Sequence, residues 1–120
     1  MNMGNQQYDL EERTLVFAKR VRVFVKQLPK FSANFKDGDQ LIKSSGSVGA
    51  NYIEANEAFS KRDFVHRIKI CRKESKESRF WLNLVDTANI AVLDEEKFIL
   101  IQEVTELMKI FGSIVRKSES

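Results

Sequence analysis

Gln40-Leu-Ile-Lys-Ser-Ser-Gly-Ser-Val-Gly-Ala-Asn-Tyr-Ile-Glu-Ala-Asn-Glu57 is the stretch around which the rest of the chain is organised. Leu41, Val48 and Ala55 recur every seven residues, with Ser45, Tyr52 and Phe59 as the partner row, so an apolar stripe runs at helical period. Gly46 and Gly49 lie within its length, and each costs about 1 kcal/mol against alanine in a helix interior. Close packing offers the compensation. Ser45, Gly46, Gly49 and Ala50 fall at helical neighbour spacings and clear one flank for another backbone to approach. The stretch therefore predicts a continuous second helix. Asn51 and Glu54 follow one turn later and are expected to be buried and hydrogen-bonded, since buried polar groups must find partners.

Outward from this helix, 120 residues make one domain, large enough for a single core without disulfide or metal. Cys71 is the sole cysteine, so no internal disulfide can form, and a cytoplasmic location is the default expectation. Met1 to Gln7 is polar, and no apolar run approaches the roughly 18 residues that span a bilayer, so no membrane partner is expected. Five glycines and one proline against 31% charged residues favour long helices over a turn-rich β fold.

The remaining helices follow from period and caps. The first should begin near Asp9 and stop close to Pro29, with Leu10, Thr14, Phe17, Val21, Phe24 and Leu28 as its seam and Val16 and Val23 off it. Asn34, Asp37, Gly38 and Asp39 read as a turn, with Asp37 or Asp39 capping the second helix, which runs to about Phe59. Ser60 caps a third helix from about Lys61 to Asn89. Its seam is Phe64, Ile68, Cys71, Ser75, Ser78, Leu82 and Val85, and Ile70, Trp81, Leu84 and Ala88 form a second apolar strip. Asp94 caps the last helix, to about Arg116, with Ile101, Val104, Met108, Phe111 and Val115 as seam and Leu100, Leu107 and Ile114 beside it. The fold expected is all-α, an antiparallel up-down-up-down four-helix bundle over residues 9–116, with flexible termini at 1–8 and 117–120.

The net charge of +3 conceals segregation along the chain. Residues 13–36 hold seven Lys or Arg and no acid, residues 61–79 hold eight against three acids, and residues 80–108 hold six acids against Lys97. At 100° per residue, Arg62, Lys69, Arg72, Lys73, Lys76 and Arg79 gather into one stripe on the third helix. Lys19, Arg22 and Lys26 make a shorter band on the first. Such bands fit a polyanion or a complementary acidic surface.

Gln40-Leu41, Ser44 to Asn51, Glu54-Ala55 and the run Arg67-Ile68-Lys69-Ile70-Cys71-Arg72-Lys73-Glu74-Ser75-Lys76-Glu77-Ser78-Arg79 together resemble the bacterial four helix bundle protein family, also called 23S ribosomal RNA intervening-sequence proteins. The resemblance covers about residues 9–116 and implies a small basic four-helix bundle, with Ser45, Gly46, Gly49, Asn51 and Glu54 as structural motif positions and no catalytic residue. A relative, the accessory protein of diversity-generating retroelements, forms a ring of five and binds nucleic acid and a reverse transcriptase. The resemblance thus implies a homopentamer.

Enzyme chemistry finds little footing. His66 is the only histidine, and Asp63-x-x-His66 is a single acid-x-x-His step where di-iron bundles need two. A nucleophilic triad would have to use the same His66, with Cys71 on another helix face. Gly46-Ser47-Val48-Gly49 lacks the strands of a KH-type RNA-binding fold, and no phosphate-binding Gly-rich loop precedes a Lys. No catalytic residue, metal or cofactor is assigned. Two readings remain: a homo-oligomer that binds RNA or DNA phosphates through its basic bands, or an oligomeric scaffold that binds a protein partner without touching nucleic acid. Assembly rests on surplus apolar positions, for which Val16, Val23, Ile70, Trp81, Leu84 and Leu107 are the candidate interface. In a ring, the basic first and third helices would line one surface.

Overall fold

The computed structural model describes residues 3–119, with side chains from residue 10 onward. Four helices follow in order: α1 Met3–Gln27, α2 Ser32–Asn56, α3 Lys61–Leu84 and α4 Ala91–Glu119. Each packs on the next and α4 closes back on α1, whereas neither diagonal pair comes into backbone contact. With connections this short, that neighbour order is the antiparallel up-down-up-down bundle. Helices of such lengths span about 36–44 Å at 1.5 Å per residue. The molecule extends 45 × 26 × 20 Å, so every helix runs its full length.

The seams of α1 and α3 meet in the core as the periodicity requires. Leu10, Thr14, Phe17, Val21, Phe24 and Leu28 are buried, as are Ile68, Cys71, Ser75, Ser78, Leu82 and Val85, with Val65 taking the place expected of the half-buried Phe64. On α2, Leu41, Ser45, Val48, Tyr52 and Ala55 are buried. Small residues let α2 approach its neighbours. Toward α3, the Ser78 hydroxyl donates to Ser44 Oγ at 2.9 Å and sits beside fully buried Ser75. Toward α1, a Cβ on Gly49 would stand 2.8 Å from Thr14 Oγ1, so only glycine fits that crossing. Gly46 is different. Its nearest neighbour would be the mobile end of Arg22 at 3.5 Å, which is ordinary contact.

Several boundaries differ from the sequence reading. α1 is helical from Met3, since nothing between Asn5 and Asp9 breaks a helix; residues 1–2 and 120, assigned to flexible termini, lie outside the described residues. α2 starts at Ser32, so the supposed turn residues are helical. Gly38 is buried because Val25 packs where its Cβ would be, with Cγ1 only 2.9 Å away. Asn34 is buried too, and its amide nitrogen donates to the carbonyls of Pro29 and Asp86 while its oxygen accepts from the Asp86 amide. One side chain thereby ties together both loops at this end. α2 ends at Asn56, where the amides of Glu57 and Ala58 fold back onto Glu54 and Ala55, and this turn leaves Phe59 wholly exposed rather than in the seam.

Ser60 caps α3 as expected, accepting from the Asp63 amide at 3.1 Å. α3 stops at Leu84, five residues early, because Val85 is extended and Ala88 and Asn89 are left-handed at φ 54° and 58°. Lys97 then donates to the carbonyls of Asn83 and Val85, placing a cation at the negative end of α3. α4 begins at Ala91 and carries Asp94 in its first turn, where the carboxylate accepts from the Thr87 hydroxyl. Its buried face is Leu93, Leu100, Val104, Leu107, Phe111 and Val115. Val104, Phe111 and Val115 are buried as expected, but Leu100 and Leu107 take the places of Ile101 and Met108, which flank the face, so the seam is rotated by about 40° from the expected one. Leu107 is therefore core and not an interface residue.

Candidate nucleic-acid interface

The basic side chains of α1 divide between two faces. Arg13 donates to Glu103 and Glu106 of α4, and Arg20 makes a two-point contact with Glu96. Hydrogen bonding to these carboxylates raises both guanidinium pKa values. Part of the charge segregation in the sequence is thus satisfied inside one chain. Lys19, Arg22 and Lys26 are exposed, and Arg22 leans toward α2 beside Gly46, its guanidinium also donating to the Ala18 carbonyl.

On α3, Arg62, Lys69, Arg72, Lys73 and Lys76 are exposed and Arg79 is half-buried. Ser60 sets the start of this helix, the buried seam sets its rotation, and together they turn the cations outward. Lys69 pairs with Glu119 at 3.1 Å, and Arg79 donates to Thr105 Oγ1 at 3.3 Å. Arg62, Lys73 and Lys76 have no carboxylate at ion-pair distance among the described residues. One edge of the stripe therefore borders α4. Since α1 and α3 stand on a diagonal, and Arg22 leans to α2 while Arg72 and Arg79 lean to α4, their bands occupy opposite faces of the bundle. A single surface lined by both does not exist within one chain.

The motif positions serve the bundle unequally. Ser45 is fully buried and donates to the Ile42 carbonyl; Gly49 marks the α1 crossing. Asn51 is half-buried, donates to the Ser47 carbonyl and accepts from Arg67 at 3.1 Å, which links α2 to α3. Glu54 is exposed, contrary to expectation, because it lies about 100° from buried Ala55 on the outer side of α2.

Of the candidate interface residues, Val16, Val23 and Leu84 are exposed, while Ile70 and Trp81 are half-buried. Trp81 packs on the core, and its indole N–H is buried without an acceptor among the described residues. The sequence reading missed a concentration of apolar surface at the end where the α1–α2 and α3–α4 loops meet. Phe31, Phe35, Phe80, Ile90, Val92 and Phe98 are exposed there, in addition to Val23 and Leu84. Their signal is in the sequence, but only the topology brings two loops to one pole. Cys71 is buried, and burial pushes its thiol up to about 12, which removes it as a nucleophile near neutral pH. No helix of the described residues is long and apolar enough to cross a membrane.

Fold and surface together define a small basic helical bundle whose exposed chemistry is charge and apolar area. The chain belongs to the family of 23S rRNA-intervening sequence proteins, whose profile matches residues 6–113. It is similar to a protein of unknown function from the S23 ribosomal protein family of Bacteroides thetaiotaomicron VPI-5482, whose crystal structure superposes with a TM-score of 0.76 at 30% identity, covering 88% of this chain and 96% of that one. No curated protein matches the chain.

Proposed function

We propose that this protein is a non-enzymatic, homo-oligomeric binder of nucleic-acid phosphates. The observation that carries the reading is the run of exposed α3 cations, Arg62, Lys73 and Lys76, without ion-pair partners on a rigid helix. Such a run engages phosphates by charge and counterion release, with little reading of bases. The family description, which refers to 23S ribosomal RNA, favours RNA as the polymer. Lys69 is a weaker handle, being held by Glu119. The test is therefore Arg62→Glu with Lys73→Glu and Lys76→Glu, measured against a 20-base-pair RNA duplex over a salt titration. The fold should survive, because all three side chains are exposed. Affinity should fall, and the salt slope should flatten by about one for each phosphate that the variant no longer neutralises. Equal binding by both proteins at every salt concentration would remove the stripe from consideration.

The second reading, a scaffold that binds a protein partner, draws on the exposed apolar residues at the loop pole. Self-assembly draws on the same surface, and the resemblance supplies a ring of five as the expected number. The acids of α4 contribute less to contacts between subunits than the sequence implies, because Glu96, Glu103 and Glu106 are held by α1 of the same chain. Light scattering at micromolar concentration distinguishes the cases: a mass of one 13.9 kDa chain throughout would defeat assembly. Leu84→Glu is a better probe than Trp81→Glu, since Leu84 is exposed and Trp81 touches the core. Dissociation without loss of helicity is the expected result.

A further inference from the structure

We infer that Arg72 and Arg116 form a cradle for a single phosphate group over Gly112, at the seam between α3 and α4. Arg116 lies one turn beyond Gly112 on α4, and its side chain folds back along the helix, as long helical side chains do. Arg72 reaches the same spot from α3. The position that a Cβ on Gly112 would occupy is 3.3 Å from Arg116 Nη1 and 3.8 Å from Arg72 Nε, so both guanidinium groups sit within 4 Å of one point. Gly112 is buried beneath them. A side chain at this position would occupy the point on which the two arginines converge, and Arg116 would have to give way by a few tenths of an ångström even to a Cβ.

Two guanidinium groups that converge on one point are well placed to share a carboxylate. None is supplied here: α4 carries no acid between Glu106 and Glu119, α3 carries none between Asp63 and Glu74, and Glu119 is engaged by Lys69. Neither arginine has a hydrogen-bond or ion-pair partner among the described residues. An oxyanion seated between the planar guanidinium groups would accept a charge-assisted hydrogen bond from each and replace their repulsion with attraction. Lys76, one turn from Arg72, and Lys109, three residues before Gly112, are both exposed and extend positive charge along the seam, which suits a phosphate that belongs to a chain of phosphates. As a site within the nucleic-acid interface, the cradle rests on the proposed function, yet it can be tested apart from it.

Inorganic phosphate is titrated at constant ionic strength while the arginine Nε–Hε signals are followed by proton–nitrogen correlation spectra. Arg72 and Arg116 should shift saturably, Arg20, which is held by Glu96, should not, and Arg116→Gln should abolish the response of Arg72. The RNA salt titration is repeated with Arg72→Gln, Arg116→Gln and the double variant. If both arginines hold one phosphate, the double variant flattens the slope by about one, with the single changes non-additive. Shifts at Arg20 as large as those at the pair, or an unchanged slope together with no saturable shift, would overturn the cradle. In that event loss of RNA binding by the α3 triple variant would leave the broader reading standing. Saturable phosphate binding by a protein that ignores RNA would support the cradle and defeat the nucleic-acid reading.

Discussion

Gly46 and Gly49 are three residues apart on one helix, yet alanine should move stability in opposite directions at the two. At Gly46 the new methyl meets only the flexible end of Arg22, so the propensity gain of about 0.5–1 kcal/mol is realised. At Gly49 it meets Thr14 Oγ1, which is fixed by donation to the carbonyls of Leu10 and Glu11, and overpacking of about 1–3 kcal/mol exceeds the gain. Thermal melts of the two variants should shift up and down respectively; parallel shifts would count against the crossing. Asn34→Ala should cost about 1–3 kcal/mol, since it strands the Asp86 amide and frees two carbonyls. Cys71 adds a pH dependence. Its folded pKa is raised above the unfolded value of roughly 8.5, so its contribution is complete below that pH and declines as pH rises toward the folded value. Stability should therefore fall on the alkaline side, more steeply in the wild type than in Cys71→Ala, although that variant is less stable at neutral pH. Equal slopes would refute the assignment.

The α1–α4 pairing is the most lightly packed of the four, and its outer edge is closed by Arg13 with Glu103 and Glu106 and by Arg20 with Glu96. These pairs are partly exposed, so each is worth no more than about 1 kcal/mol and is weakened by salt. Glu103→Gln should cost about 0.5–1 kcal/mol in dilute buffer and clearly less at about 0.5 M salt by denaturant titration. A loss independent of salt would show that the pair acts through packing. By contrast, α2–α3 is joined through buried serines, where charge and salt have little to act on.

For the molecule as a whole, the bundle has two opposed basic faces and one apolar pole, so the proposed nucleic-acid binding and the proposed assembly would use different surfaces. Disrupting assembly with Leu84→Glu should lower apparent RNA affinity by weakening multivalency, while leaving the salt slope per chain unchanged. A change in that slope would place Leu84 in the RNA-binding surface itself. The sequence determined the helix count, the seam of α1, the seams of α2 and α3 apart from Phe59 and Phe64, the Ser60 cap and the exposure of the α3 stripe's cations other than Arg79, because each depends on period and local hydrogen bonding within one segment. Only the tertiary structure decided the phase of α4, whose apolar arc is wide enough to present either Leu100 and Leu107 or Ile101 and Met108 to a partner. It likewise decided that Asn34 and Gly38 are buried packing residues, not turn formers, and that Arg72 and Arg116 both approach Gly112. Those outcomes depend on how one helix is rotated and registered against another, and that is set by the packing of the whole core rather than by any single stretch of the chain.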